Sequence, residues 1–258
     1  MVKTINGITA TVPSSRFNLL GVAVDNISLK ELLQKMKSGF VVTPNVSHIM
    51  LLQRDPEFQV AFGNADYSLC DSQILMKVAR WLGSPIRQKI SGSDLLPAYY
   101  HHHWDNPEIR MFLLGAKEGI AAIAMRKINQ KVGRSIVVDT YSPPWGFEND
   151  PIECEKICGL IKQSGASVLV LGLSAPKQEK WFYQYRSKLE KFVNLTLAVG
   201  ASIDFEAGSV TRSPEWVSTA GFEWLYRLSV EPKRLWRRYL LDMLPFAKLV
   251  MREKFQQR

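Results

Sequence analysis

The chain of 258 residues predicts an α/β fold: mostly parallel sheet with helices on both faces, followed by a basic amphipathic C-terminal helical appendage. Three observations carry that expectation. Apolar runs of strand length alternate with amphipathic segments of helix length. The runs are nearly continuous in Val, Ile and Leu, which is the pattern of strands covered on both sides. The alternation stops after Phe205, where Trp, Leu and Arg take over.

Taken in order, "NLLGVAV" (18–24) reads as a strand, and "SLKELLQKM" follows as a helix with Ser28 as N-cap and Leu29, Leu32, Leu33 and Met36 on its apolar face. "GFVVTPN" is a strand running into a Pro-Asn turn. "HIMLLQRDPEFQVAFGNA" gives two short helices divided at Pro56. "YSLCDS" is a short strand, and "QILMKVARWLG" a helix closed at Gly83. The second half is more regular and Rossmann-like. "RMFLLG" and "AKEGIAAIAMRKINQ" form a strand and helix, and "SIVVDTYSPPWGF" a strand entering a Pro-rich loop. "PIECEKICGLIKQSG" is a helix with Pro151 in its first turn and Gly165 at its end. "SVLVLGLSAPKQEKWF" gives strand, loop and helix start, and "LTLAVGASIDF" a last strand. The expected organisation is an N-terminal extension (1–17), an α/β part (18–105), a Rossmann-like part (106–208) and the basic appendage (209–258).

Apolar residues make up 46% and charged residues 22%, so a disordered chain is excluded and a sizeable core expected. No apolar run reaches the length of a spanning helix. The opening "MVKTINGITATVPSSRF" has no apolar h-region, so no secretory signal is expected. The net charge is +9, and residues 221–258 hold nine basic against four acidic side chains. That asymmetry points to a phosphate-rich or anionic partner at the C-terminal end.

Ligands in open α/β sheets bind beyond the carboxyl ends of the strands. The residues placed there are Thr43 to Asn45, Asp71 and Ser72, Gly115 and Ala116, Ser142 to Phe147, Gly172 to Gln178, and Gly200 to Asp204. "LLGAKEG" is an ordinary βα turn by spacing, or a phosphate cradle on backbone amides. It is neither a complete G-x-G-x-x-G nor a P-loop. A D-x-D pattern and a G-x-S-x-G elbow are both missing. His101 to His103 cannot converge on one metal from one helix, because successive side chains diverge by about 100°. Cys70, Cys154 and Cys158 match no zinc spacing and read as buried, reduced thiols. No metal and no cofactor is expected.

Six stretches together carry a resemblance: "VVTPN" (41–45), "ADYSLCDS" (65–72), "ISGSDLL" (90–96), "GLSAPKQEKW" (172–181), "AVGASIDFEAG" (198–208) and "EWLYRLSVEPKRLWRRYL" (223–240). In this order they resemble the WecG/TagA/CpsF family of bacterial glycosyltransferases over roughly residues 18 to 245. The resemblance implies inverting, metal-independent transfer from a UDP-sugar donor to a polyprenyl-diphosphate-linked acceptor at the cytoplasmic face of the membrane. The implied donor sugar is of N-acetylmannosamine, N-acetylmannosaminuronate or glucose type. By motif position the general base is Asp71, beside Thr43 and Asn45, and Gln178 contacts substrate with Lys177 close by. Gly115 and Gly172 border the donor side. The family's usual Pro-Asp-Gly is Cys70-Asp71-Ser72 here, so a changed backbone around Asp71 is one expectation.

Pro232 is expected to open a helix with Arg234, Arg237, Arg238 and Asp242 on one side and Leu235, Leu240, Leu244, Leu249 and Val250 as apolar surface. Such a helix suits an anionic membrane surface. In the resembling family the appendage attaches to the membrane and its arginines bind the acceptor diphosphate, which implies Arg227, Arg234, Arg237 and Arg238 here. Guanidinium forks suit a diphosphate better than lysine does. The basic charge alone would also suit a nucleic-acid-binding α/β protein, and the α/β rhythm alone a dinucleotide-dependent oxidoreductase. The tail has no nucleic-acid motif, so no nucleic acid is expected as partner, and the glycine pattern is incomplete for a dinucleotide. A homo-oligomer is left open.

Overall fold

A computed structural model describes residues 4–5, 8–9, 16–212, 214, 217, 223–230 and 232–256. The elements are β1 (Thr4–Ile5), β2 (Ile8–Thr9), β3 (Arg16–Leu19), β4 (Val22–Asp25), α1 (Leu29–Lys35), β5 (Gly39–Val42), α2 (Val46–Leu52), α3 (Pro56–Gly63), β6 (Tyr67–Ser68), α4 (Gln73–Trp81) and α5 (Gly92–His102). They continue with β7 (Met111–Gly115), α6 (Ile120–Val132), β8 (Val137–Tyr141), a 3-10 turn (Phe147–Asn149), α7 (Pro151–Ser164), β9 (Val168–Gly172), α8 (Lys177–Leu189), β10 (Leu195–Ala198) and α9 (Ser202–Ala207). The C-terminal helices are α10 (Glu223–Val230) and α11 (Pro232–Gln256).

Six strands form one parallel sheet in the order β6-β5-β10-β9-β7-β8. Alternate side chains feed two cores, as the period of a strand requires. Phe40, Val42, Phe112, Leu114, Leu169 and Leu171 face one layer, built from α2, α3, α4, α7, α8 and the end of α11. Val41, Met111, Leu113, Val168, Val170, Leu195 and Leu197 face the other, built from α1, α5, α6 and α9. Chain leaving β5, β6 and β9 therefore turns to the first layer, and chain leaving β7 and β10 to the second. At the β5/β10, β10/β9 and β9/β7 boundaries the outgoing segments part to opposite faces, and such points open the crevices used for ligands.

Local sequence explains most boundaries. Ser28 caps α1 in a reciprocal capping box with Glu31, whose carboxyl is held down at about 2 by the Ser28 amide and hydroxyl. Asp150 caps α7 ahead of Pro151, and Gly165 ends it in the left-handed region. Trp181 is buried on α8 and donates its indole N–H to Cys154 Sγ at 3.3 Å. A ring that size, removed from water, contributes about 3 kcal/mol.

Four expectations are corrected. "NLLGVAV" is two strands: Leu20 (φ 55°) and Gly21 (φ 83°) form a two-residue turn, and β3 pairs antiparallel with β4. That hairpin is tied to the sheet by Asp25, which takes a two-pronged Arg16 contact (2.7 and 2.9 Å) and the Ser68 amide at 2.6 Å. The helix expected from Ala116 starts only at Ile120, because Gly119 (φ 78°) completes the turn first. "LTLAVGASIDF" is strand only to Ala198, and Ser202 onward is helical. On α11, Asp242 turns inward with Phe246 and Val250, one turn apart each, so Val250 is core and Asp242 does not share an outer polar face.

Candidate active site

Thr43, Pro44 and Asn45 leave β5 where its neighbour β10 also ends. The Thr43 hydroxyl is buried and donates to the Ala198 carbonyl at 3.4 Å. Asp71 leaves β6 on the next strand, and its amide donates to the Pro44 carbonyl at 2.9 Å. Asp71 is half-buried at this rim and not enclosed in the core. The structure thus brings Asp71 alongside the Thr-Pro-Asn loop.

Ser72 does not distort that arrangement. Its backbone is extended (φ −163°, ψ 124°), a conformation open to any residue, and its side chain accepts the Leu75 amide as N-cap of α4. Glycine is not required there. Cys70 is fully buried, and burial pushes its thiol up to about 12, so it stays protonated and inert. The amide of Ile90 closes on the Cys70 carbonyl at 2.9 Å, which brings the start of α5 to the same rim. Gly92 is needed at that point: a Cβ would lie 2.6 Å from the Val199 carbonyl oxygen. Arg212 pairs with Asp94 in the first turn, and Lys89 lies 3.8 Å from the same carboxylate. Burial opposes ionisation of Asp94, but Ser91 and Arg212 outweigh it and hold its carboxyl below the usual range.

Gly115 and Gly172 end the adjacent strands β7 and β9. Gly115 has φ 127°, and a Cβ on it would meet the Gly172 carbonyl oxygen at 2.5 Å. The Ser142 hydroxyl donates to the Gly115 carbonyl at 3.2 Å, and α6 begins without a side-chain cap. Lys177 is 2.8 Å from Glu148 and lies over the rings of Trp145 and Phe147, with Trp145 97% exposed. Gln178 is 3% exposed, and its Oε1 has no hydrogen-bond partner. Arg227 falls on α10, and Arg234, Arg237 and Arg238 on α11; their side chains lie outside the described residues. His101 and His102 are exposed at the end of α5, and all three cysteines are buried and unpaired in disulfides. Among the described residues no group of three or more His, Cys, Asp or Glu side chains converges as a metal site.

Reading along the sequence missed two residues, His48 and Glu179. Glu179 has no exposed surface, and its Oε1 accepts Gln178 Nε2–H at 2.8 Å and lies 3.7 Å from His48 Nε2. His48 Nδ1 is 2.9 Å from Asn45 Oδ1. For His48 the hint along the chain is its polarity ahead of the apolar Ile49 and Met50; Glu179, between Gln178 and Lys180, gives none.

A parallel sheet whose C-terminal rim holds a half-buried carboxylate, a Thr-Asn loop and close-approach glycines is an α/β architecture of the kind that binds ligands beyond its strand ends. The model of the glycosyl transferase WecG/TagA/CpsF family matches residues 17–258. The chain belongs to this family and is a glycosyltransferase. It is similar to an N-acetylglucosaminyldiphosphoundecaprenol N-acetyl-beta-D-mannosaminyltransferase of Bacillus spizizenii, 27% identical over 81% of this chain and 77% of that protein. Enzymes of the same name from Staphylococcus aureus strains NCTC 8325 and MW2 are each 23% identical over 87% of this chain and 88% of theirs.

Proposed function

We propose that the chain transfers a sugar, with inversion, from a UDP-sugar to a polyprenyl-diphosphate-linked saccharide, with Asp71 as general base. The donor sugar is of N-acetylmannosamine, N-acetylmannosaminuronate or glucose type, and the relatives named above favour the first. The observation that supports the reading is the bond from the Asp71 amide to the Pro44 carbonyl, which ties the backbone at Asp71 to the Thr43–Asn45 loop where β5 and β10 part. In the reaction Asp71 takes the acceptor hydroxyl proton as that oxygen bonds to the anomeric carbon. The bond to the UDP oxygen breaks, and its electron pair leaves with the nucleotide. A positioned base contributes about 10²–10⁴-fold.

The leaving diphosphate gains charge. Backbone amides at the β7 and β9 ends, the uncapped start of α6, and the arginines Arg227, Arg234, Arg237 and Arg238 are the groups suited to meet it without metal. Gln178 offers its unpaired Oε1 to a substrate donor, while Lys177 steers the loop carrying Trp145. No described helix is long and apolar enough to cross a membrane. On α11 the exposed Leu241, Met243, Leu244, Met251 and Phe255 stand among Lys248 and Arg252. That composition supports peripheral attachment to the anionic cytoplasmic face of the membrane, at about 1 kcal/mol per basic side chain. The test is Asp71→Asn, assayed with a panel of UDP-sugars and a short-chain polyprenyl-diphosphate GlcNAc acceptor, with and without EDTA. Loss of transfer with retained UDP binding is expected; near-normal turnover in the variant would refute the base, and loss of wild-type transfer in EDTA would refute the metal-free route.

A further inference from the structure

The Asn45 side chain has a fixed orientation. Its Oδ1 accepts the Ser47 amide at 3.1 Å and the His48 amide at 3.4 Å, as N-cap of α2. Two N–H donors identify that atom as oxygen and not nitrogen. The same oxygen lies 2.9 Å from His48 Nδ1. A bare Nδ1 would set two lone pairs against each other at that distance, so Nδ1 carries a proton. The alternative partner for Nδ1, the Asn45 amide, is 3.4 Å away, and the shorter contact prevails.

The other ring nitrogen faces Glu179. That carboxylate has no exposed surface, its Oε2 has no hydrogen-bond partner, and its neighbours are Gln178 Nε2 and His48 Nε2. His48 is itself buried, with the rings of Phe58 and Phe62 centred 6.1 and 6.3 Å away. Glu179 is the polar group that faces Nε2, so the ring is held between Asn45 on one side and Glu179 on the other. With Oδ1 occupied by three donors, Asn45 Nδ2 is the end without a partner among the described residues.

We propose that Glu179 and His48 are positioning residues: Glu179, facing Nε2, holds the His48 ring with its Nδ1–H on Asn45 Oδ1, which locks the Asn45 amide so that its NH₂ group is presented to the substrate as a hydrogen-bond donor. The ligand chemistry this selects is an acceptor oxygen, a sugar hydroxyl or a diphosphate oxygen of the donor. Assigning that oxygen to a nucleotide sugar rests on the function proposed above; the orientation of the amide does not.

Histidine-selective ¹⁵N labelling of the wild-type chain tests the geometry without any assay of turnover. There are four histidines, and His48→Gln assigns the signal. His48 Nδ1 is expected to carry a proton in the wild type, and in Glu179→Gln the occupancy of Nδ1 by that proton is expected to fall. An unprotonated Nδ1 in the wild type overturns the proposal. A second arm uses transfer rates. Glu179→Gln and Asn45→Ala are each expected to lower kcat/KM about ten- to a hundredfold, and the double variant to fall no more than about twofold below Asn45→Ala. Multiplying losses would mean that Glu179 does not act through Asn45. If Glu179→Gln fails to fold, the wild-type spectrum still decides. If the wild type transfers no sugar, the proposed function falls while the nitrogen shifts continue to judge the amide.

Discussion

Replacing Gly115 with alanine tests how tightly the ends of β7 and β9 are joined. The backbone there sits at φ 127°, which an L side chain adopts only under strain of about 1–3 kcal/mol. The new Cβ would also lie 2.5 Å from the Gly172 carbonyl oxygen and 2.6 Å from its carbon. Those are backbone atoms of a central strand, and the same oxygen accepts the Ala116 amide at 3.2 Å. Relief requires the strands to separate, at an overpacking cost of roughly 1–3 kcal/mol. Together the loss is about 2–6 kcal/mol, which at its midpoint lowers Tm by roughly 10 °C in a chain of this size. Gly133→Ala is the control. It has φ 77° but no atom within 4 Å of its Cβ, so only the backbone strain applies, about 1 kcal/mol. Thermal melts followed by circular dichroism compare the two. Equal drops in Tm would refute the close approach, and with it the reason for a glycine on this side of the rim.

Ser72→Gly restores the family's usual residue and should leave transfer unchanged, with Tm within a few degrees of the wild type, since glycine replaces a serine cap at a loss of a few tenths of a kcal/mol; Ser72→Ala should cost about 1 kcal/mol in the same melt. Arg54→Ala should destabilise by about 1 kcal/mol, because Asp242 is buried but Arg54, its ion-pair partner at 3.3 Å among the described residues, is itself more than half exposed; Asp242→Leu should be neutral or stabilising, because Arg54 stays hydrated. Both are read from urea midpoints, and a reversed order would show that Asp242 is held by something else. Iodoacetamide at pH 8 should leave Cys70 and Cys158 unlabelled in the folded chain, because burial lifts their thiols to about 12 and about 11, three pH units or more above the medium; mass spectrometry of the labelled chain checks this.

The parallel sheet could be read from the chain because its strands are buried on both faces and announce themselves as apolar runs. The same property concealed the hairpin: Leu19 and Leu20 are both buried, so the run stayed unbroken across a turn. Helix α5 carries Gly92 and Pro97, two residues that argue against a helix locally, and it forms because Gly92 fits against Val199. Asp71 is singled out in the sequence by its motif alone. Its company could not be found that way, because Glu179 meets His48 across more than a hundred residues of chain. Asp242 was misread for a similar reason: charge normally marks an outer face, and Phe246 and Val250 draw its side of α11 inward.

The position of β10 has a consequence for biosynthesis. Residues 195–198 complete the sheet between β5, made much earlier, on one flank and β9, the strand made just before, on the other. Until the ribosome has released them, Thr43 and Asp71 ride on a two-strand fragment with no partner for its inner edge. This rim of the sheet is therefore closed late, by insertion of a keystone, and a truncated product ending before Leu195 would expose that edge to association with other nascent chains.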